Sequence, residues 1–475
     1  MNVLENNYDG EKTEPIDYRE IKISTFDLEA IKSFRIESSI NNHSTLELVG
    51  ILPEDRKDHD ISTSYNTPIE VYCENDQGHK TIYIGIITEI KVKNCAEYYE
   101  LHIKAKSYTY LMDIKKKSRS FQNTDMKIIN LISAITRPYY KAVFNYYIDN
   151  APTNRLWVQY NETDWEFIKR VASYYNAGLF PNNTLEGVHY FVDTPELESK
   201  NLEINEYVAS KSFEDYEDMK ENDTPDLSEI DYITYRVKSY ELLELGDNIT
   251  FKEQVFYVSK LIYEIIENNS ILENTYILQP KGGQKQKRLY GDNLSGISLK
   301  GSVLEVTGDK IKVKLDIDKD QDASEAYWFT YSTLSASTDG SGWYFMPEVN
   351  DRVRIYFPTN DEDDAFAISC IQQIKGDPAV KYISTIYGNK VVFGSDSVTI
   401  TADNNATIVL GKNGGISING GSISLNASEA INIRAEDSVV ISGKSNVEIS
   451  CDKGGKTILD GGGNIELKGT KVRIN

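Results

Sequence analysis

Ile408-Val-Leu410, Ile416-Ser-Ile418, Ile423-Ser-Leu425, Ile431-Asn-Ile433, Val439-Val-Ile441 and Val447-Glu-Ile449 are six beats of one pattern, two aliphatics separated by a single residue. The series opens at Val398/Ile400 and closes at Ile465/Leu467 and Val472/Ile474, with Thr457 to Leu459 filling the missed beat; successive pairs lie mostly seven or eight residues apart. Residues i and i+2 of a strand face the same side, so each beat offers two aliphatics to one face and polar residues to the other. Gly, Asn, Asp and Ser fill the gaps, residues that accept the backbone angles of sharp corners. A repeat this regular is the signature of a β-solenoid.

Beat length separates two kinds of solenoid. A lone chain needs three faces per coil, and beats of this length would give it only a few coils, a thin core and two open edges. Three chains wound together share the prism, each laying one strand on a face before passing to the next. The expected element is an intertwined trimeric β-helix over residues 379–475, with Ile408, Leu410, Ile416, Ile418, Ile423, Leu425, Ile431, Ile433, Val439, Ile441, Val447, Ile449, Ile465 and Leu467 in the trimer core. About ten strand spacings of ~4.8 Å make a rod on the order of 50 Å long. Ten basic and nine acidic residues from Lys381 onward leave it nearly neutral, so the net charge of -22 sits in the rest of the chain.

Working outward, residues 286–378 carry Gly301 to Val306, Lys310 to Leu315, Trp343 to Phe345 and Arg352 to Phe357 as short strands. This suits a small closed barrel of the OB type. Residues 1–285 form a third region. Ile21 to Ile23, Thr45 to Val49, Ile69 to Tyr72, Thr81 to Ile84 and Tyr99 to Ile103 alternate as strands of a β-barrel or sandwich. A helix near 125–137 follows from Ile128, Leu131, Ile132 and Ile135, with Thr124 or Asp125 to cap it and Pro138 to end it. Thr163-Asp-Trp-Glu166 is a capping box opening a helix near 164–177, with Trp165, Ile168, Val171, Ala172 and Tyr175 as its apolar stripe and Gly178 as its stop. The acidic stretch 196–231 reads as an exposed connection, and Lys281 to Lys287 as a linker. Strands resume between them at Tyr232 to Val237, Asn248 to Phe251 and Val255 to Val258. The fold class is mainly β.

The excess of 73 acidic over 51 basic residues repels phosphate backbones and argues against nucleic-acid partners. Cys73, Cys95, Cys370 and Cys451 lack zinc or disulfide spacing, and His43, His59, His79, His102 and His189 lack metal spacing; each histidine reads as a surface or loop residue. The acidic turn Asp361 to Asp364 lacks the central glycine of a calcium loop and reads as solvated. No nucleophile elbow or phosphate-binding loop occurs, so no cofactor, metal or catalytic residue is expected. A carbohydrate-active β-helix enzyme would need longer coils and a charged cluster on a solenoid face. The polar start Met1 to Glu14 is not a secretory signal, and no apolar run is long enough to span a bilayer.

Several segments resemble the VgrG proteins of type VI secretion and the hub-and-spike proteins of contractile phage tails. Tyr83-Ile-Gly-Ile-Ile-Thr-Glu-Ile90 is similar to the strand leading out of that family's first barrel. Trp157-Val-Gln-Tyr-Asn-Glu-Thr-Asp-Trp-Glu-Phe-Ile-Lys-Arg170 resembles its most specific motif, carried here by Gln159, Tyr160, Asn161, Glu162, Asp164, Phe167 and Arg170. Trp343 to Phe357 and the turn that follows are similar to the end of its OB domain. The resemblance implies a hub of two similar barrels, an OB neck and a trimeric β-helix. It further implies a homotrimer on a hexameric, Hcp-like inner tube, with baseplate proteins and effector cargo as partners. The last histidine is His189, so the paired-histidine metal tip of some phage spikes is absent, and Val472 and Ile474 would need a separate PAAR-type tip protein. The resemblance implies assembly in the cytoplasm and delivery with the injection particle. Secretion system, bacteriocin and phage tail all remain open. For duplication there is only a faint echo, Asn66 to Val71 against Gly246 to Phe251.

Overall fold

The computed structural model of the chain describes residues 15–471 apart from 54–63, 76–77, 201, 203, 205, 223–226, 267–269, 404 and 453–454. The chain divides between Gln373 and Ile374 into two compact units.

The first unit opens with strands β1 (Ile21–Ile23), β2 (Ala30–Ser39), β3 (Thr45–Leu52), β4 (Pro68–Asn75), β5 (Gly78–Asn94) and β6 (Tyr99–Lys106). A mixed segment follows, with β7 (Lys117–Phe121), α1 (Ile128–Thr136), β8 (Val143–Tyr146), β9 (Trp157–Glu162), α2 (Asp164–Ser173), β10 (Leu179–Pro181) and β11 (His189–Val192). A second strand set comprises β12 (Tyr207–Lys211), α3 (Phe213–Asn222), β13 (Ile233–Ser239), β14 (Asn248–Phe251), β15 (Gln254–Ile265) and β16 (Glu273–Gln279).

The two strand sets are copies of one arrangement. The first runs β4-β5-β6-β3-β2 across the sheet and the second β14-β15-β16-β13-β12. They join edge to edge where β2 pairs antiparallel with the far half of β15, from Ser39 opposite Lys260 to Phe34 opposite Ile265. With β1 added outside β4, this makes one eleven-stranded sheet. The likeness reaches single residues. A left-handed residue, Asn66 (φ 64°) or Gly246 (φ 88°), leads toward β4 or β14. The next carbonyl, of Thr67 or Asp247, accepts from the amide of Ile87 or Val258. Immediately after, each long strand bulges, at Thr88 in β5 and at Ser259 in β15. Each bulged hydroxyl donates to the carbonyl opposite, Thr88 to Lys104 at 3.1 Å and Ser259 to Ile277 at 3.0 Å. The faint echo in the sequence is therefore the equivalence of β4 with β14.

Local chemistry placed the helices well and some of their ends poorly. In α2 the capping box is formed, with Thr163 Oγ1 accepting from the Glu166 amide and the Glu166 carboxylate accepting from the Thr163 amide. Its stop is Asn176 in the left-handed region (φ 52°) and not Gly178. Gly178 is needed for a different reason, since a Cβ there would lie 2.4 Å from Ile40 Cγ2. The N-cap of α1 is Lys127, without a side-chain bond, rather than Thr124 or Asp125. Tertiary groups replace the cap, the Ile128 amide donating to the Ala151 carbonyl and the Ile129 amide to Asn150 Oδ1.

The acidic stretch is more ordered than its composition suggests. It supplies β12 and α3, the helix inserted between β12 and β13 where the first copy has only a tight turn. Met219 of α3 packs on Leu227 and Tyr232, giving this insertion a small core of its own. The segment from Lys281 is likewise built in. Gln284 is buried, and a Cβ on Gly283 would meet the Asp231 carbonyl oxygen at 2.2 Å.

The neck comprises β17 (Ile297–Thr307), β18 (Lys310–Leu315), β19 (Trp328–Thr330), β20 (Arg352–Phe357) and β21 (Phe366–Cys370), in the order β19-β18-β17-β20-β21. A bridge from Tyr331 to Ala367 brings the two ends together. Trp343 to Phe345 is not a strand: these aromatics are exposed in an extended loop with no partner strand, and Phe366–Cys370 takes the place expected for them.

The second unit holds β22 (Lys381–Ser384), β23 (Lys390–Phe393), β24 (Ser397–Ala402), β25 (Ala406–Gly411) and β26 (Ile416–Asn419), then β27 (Asn446–Ser450), β28 (Lys456–Asp460) and β29 (Ile465–Lys468). The first five form an antiparallel meander within one chain rather than one strand per face. The last three form a second meander, and residues 420–445 contain no strand.

Candidate functional site

Two places carry the functional reading: the junction of hub and neck, where the motif residues sit, and the apolar face of the second unit.

At the junction, β9 serves two cores at once. Its alternation sends Trp157 into the core beneath α1 and α2, while Val158, with Leu156 just before the strand, enters the core of the neck. Trp157 is thus a core residue. Tyr160 packs on the neck core from its rim. Asn161 takes a left-handed conformation (φ 51°), a bulge that Asn tolerates better than branched residues. That bulge turns Glu162 toward Arg170.

Arg170, 1% exposed, is the centre of the site. It donates to Glu362 Oε1 at 2.7 Å, to Glu162 Oε2 at 2.8 Å and to the Val158 carbonyl at 2.8 Å. Phe167 lies beneath the guanidinium, 5.0 Å from its ring centre, and stacks on Phe121. Burial alone would lower the pKa of Arg170, but Glu362 and Glu162 outweigh it and raise the value. Glu362 belongs to the acidic turn of the neck and is fully buried, so the turn is an anchor rather than a solvated loop. Arg155 completes the cluster, donating to Asp361 and Glu362 while lying against Trp157 and Tyr174.

Asp164 organises a second cluster on the hub side. Fully buried, it accepts from Lys117, Arg119, the Tyr139 hydroxyl and Gln159 Nε2, and the Gln159 oxygen in turn accepts from Arg119. A third contact ties β7 to the neck, where Asp318 accepts from the Ser120 amide and hydroxyl, both at 2.6 Å. Burial pushes the Asp318 carboxyl up in pKa despite these bonds. The motif is therefore a joint. Its side chains neutralise charge between three segments far apart in sequence, and breaking such a buried pair from one side costs about 3–5 kcal/mol.

His43 also departs from expectation. It is buried against Trp165, with Nδ1 2.8 Å from Thr109 Oγ1 and Nε2 3.1 Å from Asp113. Burial lowers its pKa against the opposing pull of Asp113. His79, His102 and His189 are more open, and His59 lies outside the described residues.

In the second unit, antiparallel register places the paired aliphatics side by side. Val398 faces Leu410 and Ile400 faces Ile408; Ile408 in turn faces Ile418, and Leu410 faces Ile416. Ile383, Val391 and Phe393 extend the same face across β22 and β23. The second meander repeats it with Val447 opposite Leu459 and Leu459 opposite Ile465. Among the described residues these side chains stay largely open, Val391, Val398 and Val447 being half-buried. Ile408 and Leu410 are about two-fifths exposed (39% and 44%), Ile418 is 52% and Ile416 70%. Ile423, Leu425, Ile431, Ile433, Val439, Ile441, Ile449, Ile465 and Leu467 are exposed as well. Val472 and Ile474 lie outside the described residues.

Comparison with known proteins meets the chain in both hub and neck. Residues 37–194 match the family model described as the phage tail baseplate hub (GPD). Residues 299–371 match the type VI secretion system/phage-baseplate injector OB domain. No curated protein matches. Among solved structures, the Escherichia coli c3393 protein, described as a type VI secretion component similar to T4 tail proteins gp27 and gp5, aligns at 14% identity and a TM-score of 0.55, over 74% of this chain and 99% of its own. The Francisella PdpA–VgrG complex in its lidded form aligns at 11% identity and 0.53, over 84% and 79%. Its half-lidded form gives 12% and 0.52, over 84% and 87%.

Two segments of the chain thus match models of a baseplate hub and of an injector OB domain, and its fold is similar to that of type VI secretion and phage-tail proteins.

Proposed function

We propose that this hub-and-spike chain works as a homotrimer whose C-terminal region, residues 379–475, closes into a rigid β-prism and punctures a target envelope. Its role is mechanical rather than catalytic. The observation that carries the reading is the apolar face on each of the two meanders of the second unit, exposed in one chain. A monomer would leave a contiguous aliphatic patch in water, and full burial of each large side chain stabilises by roughly 1.5–3 kcal/mol. Two further copies are the economical cover, because identical faces of one beat length stack in register around a threefold axis. Residues 420–445, which lack strand partners within the chain, keep the same beats and supply the strands that braid between copies.

In this reading the hub of residues 1–285 seats on a hexameric inner tube. Three chains with two similar strand sets each offer six units to a sixfold ring, while the neck of 286–378 passes the load to a threefold rod. Val472 and Ile474 form a seat for a conical tip protein, and baseplate proteins hold the hub. Effector cargo rides on the tip or hub; the likeness to a PdpA–VgrG complex supports a cargo-bearing spike. The acidic hub repels nucleic acid. Sedimentation in solution tests the reading. A particle of three times 53.9 kDa is expected, and a stable folded monomer at micromolar concentration would end it.

A further inference from the structure

The internal duplication specifies how one hub meets the next. In the second copy, β15 has two partners along one edge: β14 pairs with its first part, and β2 pairs with Lys260–Ile265. In the first copy, β4 covers the corresponding first part of β5, through Ile86. Among the described residues no strand lies on the rest of that edge, Glu89–Asn94. At the other end of the sheet, β12 is the counterpart of β2, and among the described residues it pairs with β13 alone. One molecule thus ends in a vacant half-edge and in the type of strand that fills such a half-edge.

Burial at equivalent positions agrees. Leu261 and Tyr263 are fully buried beside β2, whereas their counterparts Ile90 and Val92 are only half-buried. Phe34 and Ile36 of β2 are fully buried, whereas their counterparts Tyr207 and Ala209 in β12 are exposed. An exposed edge of this kind pairs readily with another chain.

We propose that β12 of one protomer pairs antiparallel with Glu89–Asn94 of the next protomer's β5, extending the sheet from hub to hub. The intramolecular β2–β15 pairing fixes the register. Transferred by equivalence, Ile90 faces Lys211, Lys91 faces Ser210, Val92 faces Ala209, Lys93 faces Val208 and Asn94 faces Tyr207. No like charges stand opposite one another, and Val92 and Ala209 share the core side of the sheet. The contact is head-to-tail, so it must close into a ring or run on as a filament. The inference rests on the trimer reading, which supplies closure at three copies and six strand sets.

Disulfide trapping in the full chain tests it, in a background where Cys95, Cys370 and Cys451 are serine. With Val92→Cys and Ala209→Cys together, mild oxidation by diamide is expected to give covalent dimers and trimers on a non-reducing gel. Val92→Cys with Val208→Cys, whose side chains point to opposite faces, is expected to stay largely unlinked. A particle of trimer mass that fails to link through Val92 and Ala209, or that links equally through both pairs, overturns the strand pairing and leaves the trimer standing. A monomeric particle overturns both.

Discussion

The junction and the second unit are stabilised in opposite ways. At the junction one chain satisfies itself: Arg170, Glu362 and Asp164 are buried with partners, Glu162 pairs with Arg170 from a half-buried position, and β9 fills two cores. In the second unit the same chain satisfies only its backbone. The strands hydrogen-bond, but their aliphatics face water. One region is thus complete within the described chain while the other keeps an apolar face exposed, and the proposed trimer is what would cover it.

The sharpest way to break this contrast is to charge the apolar face. Leu410→Asp with Ile418→Asp should reduce the sedimenting mass to a single chain while hub circular dichroism persists. Were the chain a monomer, carboxylates at these exposed positions would change almost nothing. Next in size is the junction. Arg170→Met strands Glu362 and Glu162 without their cation and should destabilise the first unit by about 3–5 kcal/mol in chemical denaturation. Adding Glu362→Leu should recover part of that, and trimer mass should be unchanged throughout.

A smaller effect is expected from the cap of α2. Thr163→Ala should cost about 1 kcal/mol and no assembly. Smallest is a pH effect at Glu100, whose pKa the Lys32 ammonium, helped by His102 and Lys93, holds down at about 2. A depressed carboxylate stabilises above its unfolded value and loses that contribution as pH falls through its folded one. Glu100→Gln should therefore lower the thermal midpoint at pH 7 by a few degrees, and the gap to the parent should close between about pH 4.5 and 2.

What could be read from sequence was what the chain encodes locally. Thr163 and Glu166 reach one another within a single turn, so the capping box was visible. The i, i+2 beats announced strands with one apolar side; the register carries that alternation from Val398 to Ile418, whereas the beats between 420 and 445 form no strand. The joint was not visible, because Arg170 and Glu362 stand 192 positions apart and an acidic turn looks solvated until its partner is known. The same holds for α1, whose cap comes from Ala151 and Asn150. The duplication was faint because it is kept in backbone devices, a left-handed turn and a bulged hydroxyl, while the side chains diverged. Trp343 to Phe345 misled because aromatic content alone does not supply a neighbouring strand.

The double duty of β9 has a mechanical corollary. A strand whose odd and even residues belong to different cores cannot slide without tearing both. In the proposed spike, thrust entering at the hub would pass to the neck through covalent backbone and interlocked side chains.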